Sequence, residues 1–208
     1  MFISAFLSGE IFIHILASLQ KVLVGFSIAG FFGIILGIFL GYYRKLGDYV
    51  RPIIEILRPI PPIAWIPIAI LIFGLGNASS YFIVFFGAFF PIFTNTYFGA
   101  ISLPRIYKNV ADSFEINKHV FIKRILFCFC LPYIFTGLKI GMGMAWMSVI
   151  AAELIGAQSG LGYFIQINRL LLRTENILVG MILIGIIGFM LSKLLSLLEK
   201  IVIPWNKA

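Results

Sequence analysis

The stretch that decides the fold class is "VLVGFSIAGFFGIILGIFLGYY", residues 22–43, which carries no charged side chain. A helix of about 20 apolar residues is long enough to cross the hydrocarbon core of a bilayer. Gly33, Gly37 and Gly41 recur at a spacing of four residues, which places them on one helix face where a neighbouring helix can approach closely. The stretch therefore predicts a membrane span with a close helical neighbour. The alternative is that these glycines face lipid and have no role.

Four further stretches are mostly apolar and are also predicted to be spans, although the first of them is short. They are residues 60–76, 81–103, 125–152 and 177–198. Prolines interrupt the first three of them, and each proline leaves a carbonyl without its helical partner, which lipid cannot satisfy. We therefore expect these three spans to lie inside a helix bundle or along a path. The predicted fold class is an all-α integral membrane protein with about five transmembrane helices, forming one domain over residues 1–208.

Composition excludes the soluble classes of protein. The 208-residue chain is 61% hydrophobic and 12% charged, which leaves too few polar side chains to cover a soluble surface. The net charge of +8 fits basic cytoplasmic loops better than nucleic-acid binding. His14 and His119 lie far apart without ligand spacing, and Cys128 and Cys130 lie in an apolar run. We therefore expect no catalytic residues, no metal and no cofactor in this chain.

The basic residues predict the topology. They concentrate in three regions: Arg44, Lys45, Arg51 and Arg58; Arg105, Lys108, Lys118, Lys123 and Arg124; and Lys193, Lys200 and Lys207. Between the second and third spans the sequence "GLGNASS" carries no charge. The positive-inside rule then places the three basic regions in the cytoplasm, the N-terminus outside and the C-terminus inside. Residues 1–20 lack the basic start of a signal peptide and are expected to form an interfacial lead-in to the first span.

A charged insert, residues 109–123, separates the third and fourth spans within the cytoplasmic loop 104–124. Val110, Phe114 and Phe121 recur in it at helical spacing. Two interpretations are open. The insert is an ordinary interfacial loop, or it is a helix over residues 109–120 that docks on a cytoplasmic partner.

Three stretches together resemble a known family. They are "SLQKVLVGFSIAGFFGIILGIFLGYYRKLGDYVRPIIEILRPIPPIAWIPIAILIFGLG", "FFPIFTNTYFGA" and "LPYIFTGLKIGMGMAWMSVIAAELIGAQSGLGYFI". In this order they resemble the permease subunit of ATP-binding-cassette importers of the sulfonate, taurine and nitrate type. The resemblance covers the chain from about residue 15 and implies the core of a type I importer. It also implies a second permease copy, a cytoplasmic ATPase dimer that binds ATP, an extracytoplasmic solute-binding protein, and a small anion or a vitamin precursor as substrate.

In that family the cytoplasmic loop carries the pattern Glu-Ala-Ala-x-x-x-Gly, followed after a gap by Leu-Pro, and its short helix docks on the ATPase. Here only Ala111 and the Leu131–Pro132 pair match, and Glu115 stands at the glycine position. Since a residue other than glycine adopts left-handed angles only at a cost, we expect a straighter helix through Glu115. The resemblance implies coupling to the ATPase by Asn109, Val110, Ala111, Asp112, Ser113, Phe114, Glu115, Ile116 and Lys118.

Candidates for the translocation path are Lys139, Met142, Trp146 and Glu153. Ionisable groups within a span are costly and often functional. Lys139 either lines the path or extends to the headgroups. Glu153 either lines an outer gate or has the structural role of capping or of pairing with Arg169 or Arg173. Trp146 and Met142, with Met144 and Met147, line the path or pack against a second copy.

A rival hypothesis is a non-transporting membrane scaffold derived from such a permease. It rests on the altered docking pattern and on the expectation that an additional N-terminal span, usual in the family, is missing.

Overall fold

The computed structural model describes residues 10–204, which are helical and contain no strand. The helices are α1 (Glu10–Tyr42), α2 (Arg44–Leu57), α3 (Ile66–Phe73), α4 (Asn77–Ile101), α5 (Arg105–Ser113), α6 (Phe127–Gly156), α7 (Leu161–Leu170) and α8 (Thr174–Val202). A 3-10 turn, Pro62–Trp65, precedes α3. The helical turn Lys118–Val120 and the π-helical segment Phe121–Leu126 lead into α6, so the chain is helical from residue 118 to 156.

Four helices of the described chain are long and apolar enough to cross a membrane: α1, α4, the 118–156 helix and α8. The expected span over residues 60–76 is wrong in its length. Its helical part runs only from Pro62 to Phe73, begins with a 3-10 turn and meets α2 at an angle of 87°. Eight residues of α3 rise only about 12 Å. A fifth span exists only if this bent pair counts as one.

The first span begins earlier than predicted, because α1 runs without a break from Glu10 to Tyr42. The polar residues before Val22 suggested an interface, but Ser18 and Lys21 are buried and bonded inside the protein. Residues 10–20 therefore belong to the helix of the first span. The rest of the expected lead-in, residues 1–9, lies outside the described residues.

The glycine face of α1 packs against α4, as the sequence predicted. A Cβ atom added at Gly33 would lie 2.9 Å from Ile92, and one added at Gly37 would lie 2.7 Å from Thr96. A Cβ at Gly41 would overlap the side chain of Ala100. These glycines therefore set the distance between the two helices, which can approach because no side chain stands between them.

Helix α4 occupies the middle of the bundle, with α1 on one side and α6 on the other. Gly137 and Gly141 of α6 let that helix lie close to Ile92 of α4. Pro91 is buried within α4, in the bundle interior where a proline is tolerated. Helix α8 lies at the periphery and leaves most of its apolar side chains exposed, as expected of a helix that faces lipid.

Candidate functional site

Helix α5 is the predicted coupling segment, and one small residue anchors it. Ala111 is 3% exposed and belongs to an apolar cluster that draws on α1, α4 and the 118–156 helix. The other members of this cluster are Ile38, Ala100, Phe121, Leu126, Cys130 and Ile134. On the outside, Val110 is 47% and Phe114 76% exposed. Helix α5 is thus anchored through Ala111 to a cluster shared by three spans, and the exposed side chains of Val110 and Phe114 lie beside that anchor.

A left-handed turn at Glu115 ends this segment. Glu115 has φ of 50°, and its N–H donates to the Asp112 carbonyl at 3.1 Å. The N–H of Ile116 donates to the Ala111 carbonyl at 2.9 Å, which completes the Schellman pattern of a helix C-terminus. The expected straighter helix through Glu115 is therefore wrong. The chain must reverse direction before the next helix begins at Lys118. The left-handed conformation costs about 1–2 kcal/mol at a residue such as Glu115. The hydrogen bonds to the carbonyls of Ala111 and Asp112 offset that cost.

The remaining coupling candidates lie on this helix and its turn. Asn109, Asp112 and Ser113 are exposed on α5, and the Ser113 hydroxyl donates to the Asn109 carbonyl at 2.9 Å. Lys118 begins the following helix and is also exposed. The expected helix over residues 109–120 is shifted, because α5 begins at Arg105, directly after Pro104, and ends at Ser113.

Glu153 is the centre of a buried polar cluster, which lies where the N-terminal part of α1 meets the C-terminal end of α6. Its side chain is 0% exposed and lies 3.0 Å from the Lys21 ammonium. The Ser18 hydroxyl lies 2.8 and 2.9 Å from the two carboxylate oxygens, and Lys21 also donates to the Ser159 carbonyl. The expected partners, Arg169 and Arg173, are both exposed, and the partner is Lys21 instead.

The same cluster satisfies the first amides of α7. The N–H of Gly160 donates to His14 Nδ1 at 3.1 Å, and the N–H of Leu161 donates to the Ser18 hydroxyl at 2.8 Å. The N–H of Gly162 donates to the Glu153 carboxylate at 3.0 Å. The first N–H groups of a helix have no partner within it, and a negative charge there is favourable. The cluster therefore joins α1, α6 and α7.

The other path candidates are also bonded or buried within the chain. Lys139 forms an ion pair with Glu199 of α8 at 2.7 Å. Met142 and Trp146 belong to the main apolar core at 5% and 7% exposure. The Trp146 indole N–H donates to the Ile184 carbonyl at 3.0 Å, and its ring lies against Gly188. None of the four candidates lines the open cleft described next.

A cleft of about 200 Å³ opens between α4, α6 and the bend that follows α2. Its walls are mostly apolar, and they include Phe90 of α4 with Ile140 and Met144 of α6. Arg58, Thr94 and Asn95 supply its polar groups. The sequence predicts a cytoplasmic loop for Arg58, and no sequence pattern singled out Thr94 or Asn95.

Comparison with known proteins identifies the family. Residues 31–207 match the family described as the binding-protein-dependent transport system inner membrane component. The chain belongs to this family. It is 40% identical to the nitrate import permease protein NrtB of Synechocystis sp., over 92% of this chain and 70% of that protein. It is 35% identical to the bicarbonate transport system permease protein CmpB of Synechococcus elongatus, over 93% of this chain and 70% of that one.

The fold of this inner membrane component is that of a type I importer permease. A chain of the MetNI methionine ABC transporter, in an inward-facing conformation, superposes with a TM-score of 0.72 at 19% identity. The match covers 88% of this chain and 94% of that chain. The protein is accordingly a multi-pass membrane subunit of a transporter and has no enzymatic activity of its own, as the sequence predicted.

Proposed function

We propose that this permease is the membrane subunit of an ATP-driven importer for a small, singly charged oxyanion. Two relatives support this substrate class, because one is named for nitrate and the other for bicarbonate. Both anions are planar, carry one negative charge and have three oxygens. The relatives provide no support for a vitamin precursor, and we do not propose one.

The coupling of ATP hydrolysis to transport would pass through α5. The observation that carries this proposal is the Schellman turn at Glu115, which is formed although the glycine usual at this position is absent. Because Ala111 lies in a cluster shared by three spans, a force on α5 would reach α1, α4 and the 118–156 helix together. The proposed response of the spans is a rigid-body change between inward- and outward-facing states.

Three partners complete the proposed importer: a cytoplasmic ATPase dimer that binds the ATP, an extracytoplasmic solute-binding protein, and a second copy of this chain. The proposed orientation has the N-terminus outside and the C-terminus in the cytoplasm. The basic residues at one end of the bundle support this orientation. At that end the Arg44 guanidinium donates to the carbonyl of Ile101 at 2.8 Å and so joins the ends of α1 and α4. A basic end of the bundle is expected in the cytoplasm.

No observation favours the scaffold hypothesis. One of its two arguments was the altered docking pattern, and the turn that this pattern encodes is present at Glu115. We therefore retain transport as the single proposed function.

Co-purification from detergent tests the coupling. The exposed aromatic ring of Phe114 is expected to contact the ATPase, so Phe114→Ala should lower ATPase recovery several-fold. Tyr49→Ala is the matched control, since Tyr49 is 80% exposed on α2. It should leave recovery unchanged. Equal ATPase recovery from wild type and Phe114→Ala, or no ATPase from wild type, would contradict the proposed docking surface.

A further inference from the structure

The cleft between α4, α6 and the bend after α2 has the composition of a small-anion site. Arg58, Thr94 and Asn95 are the only polar members of its ten lining residues, and no acidic residue lines it. Mostly apolar walls with a few convergent polar groups are typical of ligand pockets. The charge of the cleft is therefore positive, carried by one guanidinium.

Arg58 lies beside residues of α4 at this cleft. Phe90 and Thr94 line the same cleft and lie in the interior of the 25-residue α4. Arg58 itself is exposed, so its guanidinium is accessible from solvent at the cleft that these α4 residues line.

The polar groups of the cleft are available for a ligand. Among residues 10–204 the ion pairs are formed by Lys21, Arg51 and Lys139, and not by Arg58. Only the backbone N–H of Arg58 is engaged, with the Ile54 carbonyl. Within the same described residues the Thr94 hydroxyl makes no hydrogen bond. The Asn95 amide donates one hydrogen bond, to the Pro91 carbonyl at 2.8 Å, and keeps a second N–H free.

We propose that this cleft binds the transported oxyanion during its passage, with Arg58 as the charge partner and Thr94 and Asn95 as neutral donors. The planar guanidinium fork matches two oxygens of a planar oxyanion. A single cation also favours a monoanion, because one charge of a dianion such as sulfate would have no cationic partner in the cleft. This inference rests on the proposed function, and it deepens it by assigning the anion a site within the permease.

The test uses proteoliposomes that contain the permease, its ATPase and the solute-binding protein. Arg58→Gln should lower the initial rate of nitrate uptake about tenfold or more, since a hydrogen bond to a charged group contributes about 1.5–3 kcal/mol. ATPase stimulation by the loaded binding protein should persist, which shows that the variant is assembled. Arg58→Lys should keep part of the rate, and Thr94→Val should raise the KM for nitrate several-fold. Arg51→Gln is the control and should match wild type, because Arg51 does not line the cleft and pairs with Glu55.

A second measurement separates this inference from the proposed function. Nitrate should raise the melting temperature of the purified wild-type complex, and neither sulfate on wild type nor nitrate on Arg58→Gln should do so. Wild-type uptake without any effect of Arg58→Gln overturns the cleft and leaves the proposed function standing. Absent wild-type uptake overturns the proposed function, and the melting temperatures then still decide whether the cleft binds nitrate.

Discussion

Removing one partner of the buried pair between Lys21 and Glu153 is predicted to destabilise the protein strongly. The two charges lie 3.0 Å apart and are 1% and 0% exposed. At an effective dielectric constant of 20 their attraction is about 5.5 kcal/mol before desolvation is subtracted. Because the remaining charge would stay buried without its partner, Lys21→Met and Glu153→Gln should each cost about 3–5 kcal/mol. The double variant leaves no unpaired charge, so its cost should be at least about 2 kcal/mol below the sum.

The assay is equilibrium unfolding in mixed micelles of a denaturing and a mild detergent, for wild type, both single variants and the double variant. The ion pair between Arg51 and Glu55 is the control. It is shorter, at 2.7 Å, but its side chains are 47% and 56% exposed. An exposed i,i+4 pair contributes only about 0.3–0.5 kcal/mol, so the same cycle on Arg51→Met and Glu55→Gln should show a coupling of that size.

The result that would refute this reasoning is additivity. If the costs of Lys21→Met and Glu153→Gln sum to that of the double variant, the two charges do not stabilise each other. Single-variant costs below about 1 kcal/mol would equally show that the cluster is hydrated and that burial does not govern its energy.

Three further predictions concern packing and the coupling turn. Gly41→Ala should lower the melting temperature of the permease and reduce its free energy of unfolding by about 1–3 kcal/mol, because the added Cβ overlaps Ala100. Gly185→Ala is the control, since a Cβ there has open space, and it should be neutral or slightly stabilising. Glu115→Gly should stabilise by about 0.5–1 kcal/mol in the same unfolding assay and keep the ATPase bound, and Glu115→Val should destabilise, because a β-branched residue resists left-handed angles. Trp146→Phe should cost about 1 kcal/mol through the lost hydrogen bond to Ile184 and leave the KM of uptake unchanged; a changed KM would place Trp146 on the path.

Much of the bundle could be predicted because length and polarity alone determine a long span in lipid. The helices α1, α4 and α8 and the 118–156 helix overlap four predicted spans. The close approach of α1 to α4 also followed from local spacing, since Gly33, Gly37 and Gly41 share one face whatever their neighbour is. These features depend on residues near one another in the chain.

The broken second span and helix α7 depend on contacts that no local pattern contains. The polar groups of α2 and the prolines near residue 61 concealed where the helix turns by 87°. Helix α7 begins at amides whose partners, His14 and Ser18, are more than 140 residues away. A ten-residue helix of this kind is stabilised by tertiary contacts rather than by its own propensity.

The sequence indicated the segment that contains α5, but not the turn that ends it or the partner of Glu153. The charged insert overlaps α5, because a polar segment between two spans must leave the membrane, but the helix begins at Arg105 rather than at residue 109. The turn that ends α5 was not predicted, because left-handed angles favour glycine and residue 115 is a glutamate. The chain must nevertheless reverse here, and Glu115 adopts the left-handed conformation. The partner of Glu153 was missed because Lys21 lies 132 residues before it.

The most direct test of the account is nitrate uptake by proteoliposomes that contain this permease with its ATPase and an excess of solute-binding protein. We predict uptake that requires ATP inside and binding protein outside, that bicarbonate competes with and sulfate does not, and that Phe114→Ala reduces several-fold. An assembled complex that hydrolyses ATP but imports neither nitrate nor bicarbonate would contradict the proposed function.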